Sequence, residues 1–194
     1  MKRIEFVYRE ILYQVLEKKL RRLTQSLLSK ELKISLSMVN HALVPLRNMG
    51  AIDVKQRGFE VVDAKKILYY WASIRNLEKD ILYKTRVDRP AYKIENLMPN
   101  NIIYGAYSAY KFRFKDIPAD YSELYVYSDE DLRGRFPESK KLPNLFILKK
   151  DDLMDRYGKI ASIAQTFVDL WNIKEWYAKD LLKALEEKIG GILE

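Results

Sequence analysis

The side chains whose types and spacing indicate chemistry lie between Lys30 and Arg57. Hydroxyl, amide and imidazole groups can hydrogen-bond the edges of DNA bases, and an asparagine can bind adenine through two hydrogen bonds. Lysine and arginine can neutralise phosphate groups or enter the minor groove. The candidates for base contact are Ser37, Asn40 and His41, and the candidates for the remaining DNA contacts are Lys30, Lys33, Arg47, Lys55, Gln56 and Arg57. Each of them could instead be a solvated surface residue.

The distribution of charge favours a polyanionic partner for this part of the chain. Residues 1–75 contain 15 Lys and Arg against 7 Asp and Glu, whereas residues 76–194 contain 20 of each. The whole net charge of +8 therefore belongs to the N-terminal segment. A localised basic segment is typical of nucleic-acid binding, although a merely solvated basic surface would have the same composition.

The elements that would position these side chains follow from periodicity and capping. Apolar residues from Ile4 to Leu16 recur at helical spacing, which predicts a first helix with one buried face. Thr24 is a natural N-cap for a second helix, and Ser35 or Ser37 caps a third helix from Leu36 to about Asn48. Alternating residues from 51 to 62 then predict a hairpin that turns at Gly58 and has a basic tip.

The stretch from Thr24 to Ile52 resembles the winged helix-turn-helix of bacterial and archaeal transcription regulators. The shared pattern is Thr-Gln, a small residue in the second helix, Ile-Ser at the turn, a polar third helix, and Gly-x-Ile before the hairpin. The resemblance implies that the third helix enters the major groove of double-stranded DNA. Two residues depart from the pattern: Lys33 stands where such turns usually carry glycine, and Pro45 lies inside the third helix.

The pattern predicts an α+β protein, with an N-terminal winged helix-turn-helix followed by a mixed α/β C-terminal domain. The expected divisions are residues 1–63 for the DNA-binding domain, 64–79 for a linker helix, and 80–194 for a regulatory or partner-binding domain. The linker helix could pack on its own chain or pair two copies into a homodimer. In a dimer, the two DNA half-sites would be spaced by about 10–10.5 base pairs or a multiple.

Two pieces of the C-terminal part, Tyr104–Tyr110 and Ala161–Trp171, resemble the C-terminal domain of AbiEi-type antitoxin regulators. In that family a strand leads into a glycine and a helix that begins with small residues, and an Ala-Ser, Gln-Thr, Asp-Leu stretch begins a helix near the end. The resemblance implies a repressor of its own operon that is also the antitoxin of a nucleotidyltransferase toxin. It carries over no catalytic residues.

Tyrosine is concentrated in the middle of the chain, since 10 of the 14 tyrosines lie between residues 69 and 127. Tyrosine rings suit interfaces because they bury apolar area and keep a polar tip. Tyr104, Tyr107 and Tyr110 are therefore candidates for a partner surface or an effector pocket. The alternative is a tyrosine-rich core.

Several classes of site find no support in the sequence. The chain has no cysteine, and its single histidine, His41, has no second ligand of the same type for a metal. A nucleotidyltransferase needs two carboxylates two residues apart on a strand, whereas Asp120 and Glu123 are three apart. We therefore expect no enzyme activity, cofactor or metal. A protein-interaction module with a winged helix, or a degenerate nucleotidyltransferase-like protein, remains an alternative.

The sequence also indicates where the protein acts. It contains no apolar run of about 18 or more residues and no visible signal peptide. We therefore expect a cytoplasmic protein without a membrane partner.

Overall fold

The computed structural model describes residues 1–193 and has a mixed α/β fold. Contacts between residues divide the chain into two compact units. The first unit is Met1–Arg75 together with the residues from Glu186 onward, and the second unit is Asn76–Leu185. Eight α-helices and two β-sheets occur in the described range. No helix in that range is both long enough and apolar enough to cross a membrane.

The first unit contains four helices and a three-stranded antiparallel sheet with the strand order β1-β3-β2. The predicted helices and hairpin are confirmed at nearly the predicted positions. The elements are α1 (Arg3–Leu16), β1 (Arg22–Leu23), α2 (Gln25–Leu32), α3 (Leu36–Asn48), β2 (Ile52–Lys55), β3 (Gly58–Val61) and α4 (Ala64–Ile74). Helix α4, in the segment predicted to link two domains, is grouped with the first unit.

Helix α1 is buried on more than the single face that its periodicity predicts. Arg9 and Glu10 are buried as well as the apolar stripe, so the prediction of one buried face is wrong. The carboxylate of Glu5 is also buried. It accepts hydrogen bonds from the backbone N–H of Lys2 and from Nε1 of Trp71, both at 3.0 Å, and lies 3.9 Å from Nε of Arg75. A buried charge is tolerated when it is paired and hydrogen-bonded, so Glu5 joins the start of α1 to the end of α4.

The connection between α2 and α3 is a tight turn fixed by side-chain hydrogen bonds. Thr24 caps α2 by accepting from the N–H of Leu27, and Ser35, rather than Ser37, caps α3 by accepting from the N–H of Met38. Lys33 has the left-handed conformation, with φ of 51° and ψ of 41°. The hydroxyl of Ser29 donates to the carbonyl of Ile34 across the turn at 2.7 Å. A small hydroxyl residue in α2 therefore closes the turn.

The hairpin between β2 and β3 depends on Gly58, which has φ of +126°. A Cβ atom at this position would overlap the carbonyl oxygen of Leu23 in β1. No other residue type fits there without a shift of the backbone. Gln56 and Arg57 form the turn between the paired residues Lys55 and Gly58.

The second unit is built on a four-stranded sheet with the strand order β4-β7-β6-β5. The central pair, β6 and β7, is parallel, and the two outer pairs are antiparallel. Its elements are β4 (Ile81–Thr85), α5 (Ala91–Glu95), β5 (Ile103–Tyr104), α6 (Ala106–Phe114), β6 (Leu124–Ser128), β7 (Leu145–Lys149), α7 (Ile163–Trp171) and α8 (Trp176–Leu193), the last of which ends beyond this unit. The predicted mixture of helices and strands is confirmed.

Every residue of β6 is buried, because both faces of the strand are covered. Leu124 and Val126 belong to an apolar cluster on one face of the sheet. Tyr125 and Tyr127 alternate with them and therefore point to the other face, where the hydroxyl of Tyr127 reaches Asp169 of α7. The two faces of the sheet thus have different cores, one aliphatic and one rich in tyrosine.

Replacement of Lys33 by glycine is expected to stabilise the protein. A non-glycine residue needs on the order of 1 kcal/mol to hold the left-handed conformation, and glycine does not. The matched control is Lys30→Gly in the regular part of α2, which should destabilise by about 1 kcal/mol. Urea unfolding followed by circular dichroism measures both changes. Equal effects of the two variants would contradict the role of the backbone at Lys33.

Candidate nucleic-acid interface

Helix α3 has one face in the core and one face in solvent. Val39, Ala42, Leu43 and Leu46 are buried. The exposed residues of the helix are Leu36, Ser37, Asn40, His41, Val44, Arg47 and Asn48. The predicted base-contacting side chains therefore share the exposed side of one helix, as the period of 3.6 residues requires.

The polar groups on this exposed face are available to a partner. The side chains of Ser37, Asn40 and His41 make no hydrogen bond to any residue in the described range. No acidic residue occurs between Glu31 and Asp53. Hydrogen bonds to an external ligand would therefore form without breaking internal ones, and without repulsion from a nearby carboxylate in this segment.

The predicted phosphate-contacting cations differ in how they are held. Lys30, Lys33, Arg47 and Arg57 are exposed and have no ion pair or side-chain hydrogen bond within residues 1–193. Lys55 instead pairs with Asp53, and the hydrogen bond to this carboxylate raises the pKa of Lys55. Arg57 is therefore the more available cation of the hairpin. Gln56 is exposed beside it in the turn.

Exposed apolar side chains, which are not among the predicted site residues, lie beside the polar ones. Leu36 and Val44 of α3 are 49% and 44% exposed, and Val54 of the hairpin is 46% exposed. The position of Val44 away from the buried face is visible in the sequence. Such groups can contact the methyl group of thymine in a major groove, or the apolar surface of a protein.

The predicted partner or effector surface at Tyr104, Tyr107 and Tyr110 is corrected by the structure. Tyr107 and Tyr110 are 0% exposed, so they cannot form a surface. Tyr104 is half-buried, and its hydroxyl donates to the backbone carbonyl of Glu95 at 2.9 Å. The interpretation of a tyrosine-rich core is the correct one for Tyr107 and Tyr110, which are buried, whereas Tyr104 packs against the apolar cluster on the other face of the sheet.

Tyr107 is at the centre of this tyrosine cluster. Its ring stacks on Tyr121 with 5.1 Å between centroids, and contacts Tyr177 at 5.4 Å and Tyr125 at 6.0 Å. Desolvation by burial raises the pKa of Tyr107, Tyr121 and Tyr125 well above the usual range. Burial and a hydrogen bond to the Glu123 carboxylate raise the pKa of Tyr177 to about 12.

The segments Tyr104–Tyr110 and Ala161–Trp171 meet in space. The N–H of Ala161 donates to the carbonyl of Tyr104 at 2.9 Å. The carboxylate of Asp169 accepts from the hydroxyl of Tyr127 and from Nε2 of Gln165, each at 2.8 Å. A Cβ atom on Gly105 would lie 3.0 Å from the Tyr127 ring. These motif residues therefore fix how α6 and α7 pack against β6.

No group of three or more His, Asp or Glu side chains placed to hold a metal ion occurs among residues 1–193. Comparisons of the chain with models of protein families, with curated proteins and with solved structures each find no match. The arrangement of the residues themselves is therefore the basis for a functional proposal.

The tyrosine cluster is expected to make the protein less stable in alkali. A tyrosine in the unfolded chain ionises near pH 10, whereas the raised pKa keeps Tyr177 protonated in the folded state up to about pH 12. The folded state then binds more protons, so the stabilisation is complete below pH 10 and is lost as the pH rises from 10 to 12. Urea unfolding at several pH values and the near-ultraviolet absorbance of tyrosinate measure this effect.

Tyr177→Phe should reduce the decline in stability between pH 10 and 12, because the residue that ionises on unfolding is gone. Tyr92→Phe, which changes an exposed ring of α5, serves as the control. A decline that is the same in the Tyr177 variant as in the wild type would contradict this account.

Proposed function

We propose that the first unit is a winged helix-turn-helix that binds double-stranded DNA, and that the protein is a sequence-specific transcriptional regulator, most simply a repressor. The observation that carries the proposal is the exposed face of α3, where Ser37, Asn40 and His41 have no hydrogen-bond partner within residues 1–193 and no acidic neighbour in sequence. The order of three helices and a hairpin, and the tight turn before α3, support it.

In this mode the N-terminal half of α3 lies in the major groove, which is about 12 Å wide. Pro45 has no N–H to donate to the carbonyl of His41, so any bend in the helix lies C-terminal to residues 36–44. Ser37, Asn40 and His41 would then face base edges. Lys30, Lys33 and Arg47 would contact phosphates, and the hairpin tip would reach the adjacent backbone or minor groove.

The resemblance to AbiEi-type regulators extends the proposal to a partner. It implies that the protein represses its own operon and neutralises a nucleotidyltransferase toxin, and that it is a binding protein rather than an enzyme. A regulator of the bacterial and archaeal type would act in the cytoplasm. Co-expression with a nucleotidyltransferase encoded by a neighbouring gene should relieve the growth arrest that the toxin alone causes. Persistent arrest would reject the antitoxin role and leave the DNA-binding role intact.

A second candidate function is a protein-interaction module, since a fold does not determine a function. The exposure of Leu36 and Val44 on α3 favours it, because apolar side chains amid polar ones are typical of protein interfaces. Salt dependence separates the two functions. Binding to DNA weakens steeply with salt because counterions are released, whereas an apolar protein interface does not.

The test is a mobility-shift titration of the purified full chain with the DNA upstream of its gene, at two salt concentrations. We expect retardation that weakens at the higher salt, together with a preference for the upstream fragment over a scrambled fragment of equal length. If the protein is a dimer, a footprint should show two half-sites about 10–10.5 base pairs apart. Absence of binding even at low salt would reject the proposal.

The hairpin contributes a prediction of its own. Arg57→Ala should weaken binding to all DNA sequences. It should also reduce the salt slope, which is the slope of the logarithm of the binding constant against the logarithm of the salt concentration, by about 1 for each phosphate that is no longer neutralised. Lys55→Ala should have the smaller effect, because Lys55 must first leave Asp53 to reach DNA. Lys65→Ala removes an exposed charge from α4 and is the matched control. A salt slope that Arg57→Ala leaves unchanged would remove the hairpin from the interface.

Asn40 should control sequence preference rather than overall affinity. Asn40→Ala is expected to relax the preference at one base pair and to cost about 1–3 kcal/mol on the preferred sequence. Asn48→Ala, at the C-terminal end of the same helix, is the control. Selection of bound sequences from a random library measures both. An unchanged preference with Asn40→Ala would show that Asn40 does not contact a base.

A further inference from the structure

A cleft lined by arginines lies beside the turn that follows β4 in the second unit. Two cavities, of about 330 and 420 Å³, share Arg86, Asp88 and Arg89 as lining residues. The first cavity is also lined by Arg135, which comes from the loop between β6 and β7. These dimensions fall at the lower end of the range for small-molecule sites.

The charge of the cleft is positive and incompletely neutralised. The Asp88 carboxylate lies 3.3 Å from Nε of Arg86 and 2.5 Å from Nζ of Lys141. Arg135 donates only to a neutral acceptor, the carbonyl of Leu97, at 2.7 Å. Arg89 is exposed, and its guanidinium has no side-chain partner in the part of the chain that the structure describes. The charged residues that line the two cavities are thus three arginines and one carboxylate, which Lys141 also pairs, and an anion would relieve the repulsion between the arginines.

The lowered pKa of Asp88 agrees with the positive charge of the cleft. Its hydrogen bonds to Lys141 and then to Arg86 lower the pKa of the Asp88 carboxyl below its usual range. A positive environment stabilises an ionised carboxylate in the same way that it would stabilise an incoming anion.

The loops that carry the arginines are held by buried polar residues. The side chain of Asn144 is buried and bonds both backbone groups of Val87, accepting from its N–H at 2.8 Å and donating to its carbonyl at 2.9 Å. The hydroxyl of Thr85 donates to the carbonyl of Pro137 at 2.7 Å, and the hydroxyl of Tyr83 donates to the carbonyl of Phe136 at 2.9 Å. The backbone on both sides of the cleft is therefore preorganised, which lowers the entropic cost of binding.

We propose that this cleft binds a small phosphate monoester. A guanidinium presents paired N–H donors that match the oxygens of phosphate, and Arg86, Arg89 and Arg135 together offer more donors than a carboxylate could accept. The exposed side chains of Leu97 and Pro137 form an apolar wall of the same cavity. The phosphate lies against the arginines, and an apolar or aromatic organic group packs against this wall. This cleft does not coincide with the effector pocket predicted at Tyr104, Tyr107 and Tyr110.

The test is isothermal titration calorimetry of the full chain, without DNA, against three probes: adenosine 5′-monophosphate, inorganic phosphate and adenosine. We expect the monoester to bind most tightly, phosphate more weakly, and adenosine not at all. Arg89→Ala should weaken the monoester by about ten-fold or more, as expected for the loss of a charge-assisted hydrogen bond. The affinity of Arg89→Lys for the monoester should lie between those of that variant and the wild type, because lysine keeps the charge and lacks the paired N–H donors of the guanidinium.

Lys179→Ala, which removes an exposed charge from α8, is the matched control and should bind as the wild type does. Because Arg89 has no side-chain partner among the described residues, its replacement should leave the fold intact, and circular dichroism checks this. Two results would overturn the proposal: no binding of the monoester at millimolar concentration, or equal binding by Arg89→Ala and the wild type. Since the titration contains no DNA, its outcome is independent of the DNA-binding proposal.

Discussion

The direction of α3 depends on a short turn that is closed by one side-chain hydrogen bond. The hydroxyl of Ser29 holds the carbonyl of Ile34, and between them Lys33 accepts a left-handed backbone that reverses the chain. If this turn opened, the buried residues of α3 would lose their register with α1 and α2, and the exposed face would change with them. The polar face of α3 is therefore a consequence of the geometry of α2 as much as of its own sequence.

The positive surface of the first unit survives folding because its buried charges balance. Arg9 and Arg75 are buried together with Glu5 and Glu10. The excess of cations counted in the sequence is thus retained at the surface. Of the remaining acids, Asp53, Glu60 and Asp63 each lie beside a cation, at Lys55, Arg22 and Lys66. The cations of α2, of the end of α3 and of the hairpin tip are left to face solvent.

Local signals in the sequence predict most of the first unit, because helices and hairpins are specified by residues that are close together in the chain. The caps at Thr24 and Ser35 and the glycine of the hairpin are of this kind. The burial of Arg9 was not predictable in this way, because it depends on contacts with elements distant in sequence. The predicted tyrosine surface was wrong for the same reason. A tyrosine-rich segment fits an interface or a core equally well, and only its contacts with the rest of the second unit distinguish the two. The arginine cleft joins Arg135 to Arg86 and Arg89, which are distant from it in the chain, and the local signal in the sequence is the close spacing of Arg86 and Arg89.

The close approach of Gly58 to Leu23 divides the hairpin into a part that tolerates change and a part that does not. Strand β3 is fixed to β1 where the turn ends, since any added atom at Gly58 would push against a backbone carbonyl. Gln56 and Arg57, which precede Gly58 in the turn, are exposed to solvent. Substitutions at these two turn positions should therefore leave the sheet undisturbed, whereas a substitution at Gly58 should not.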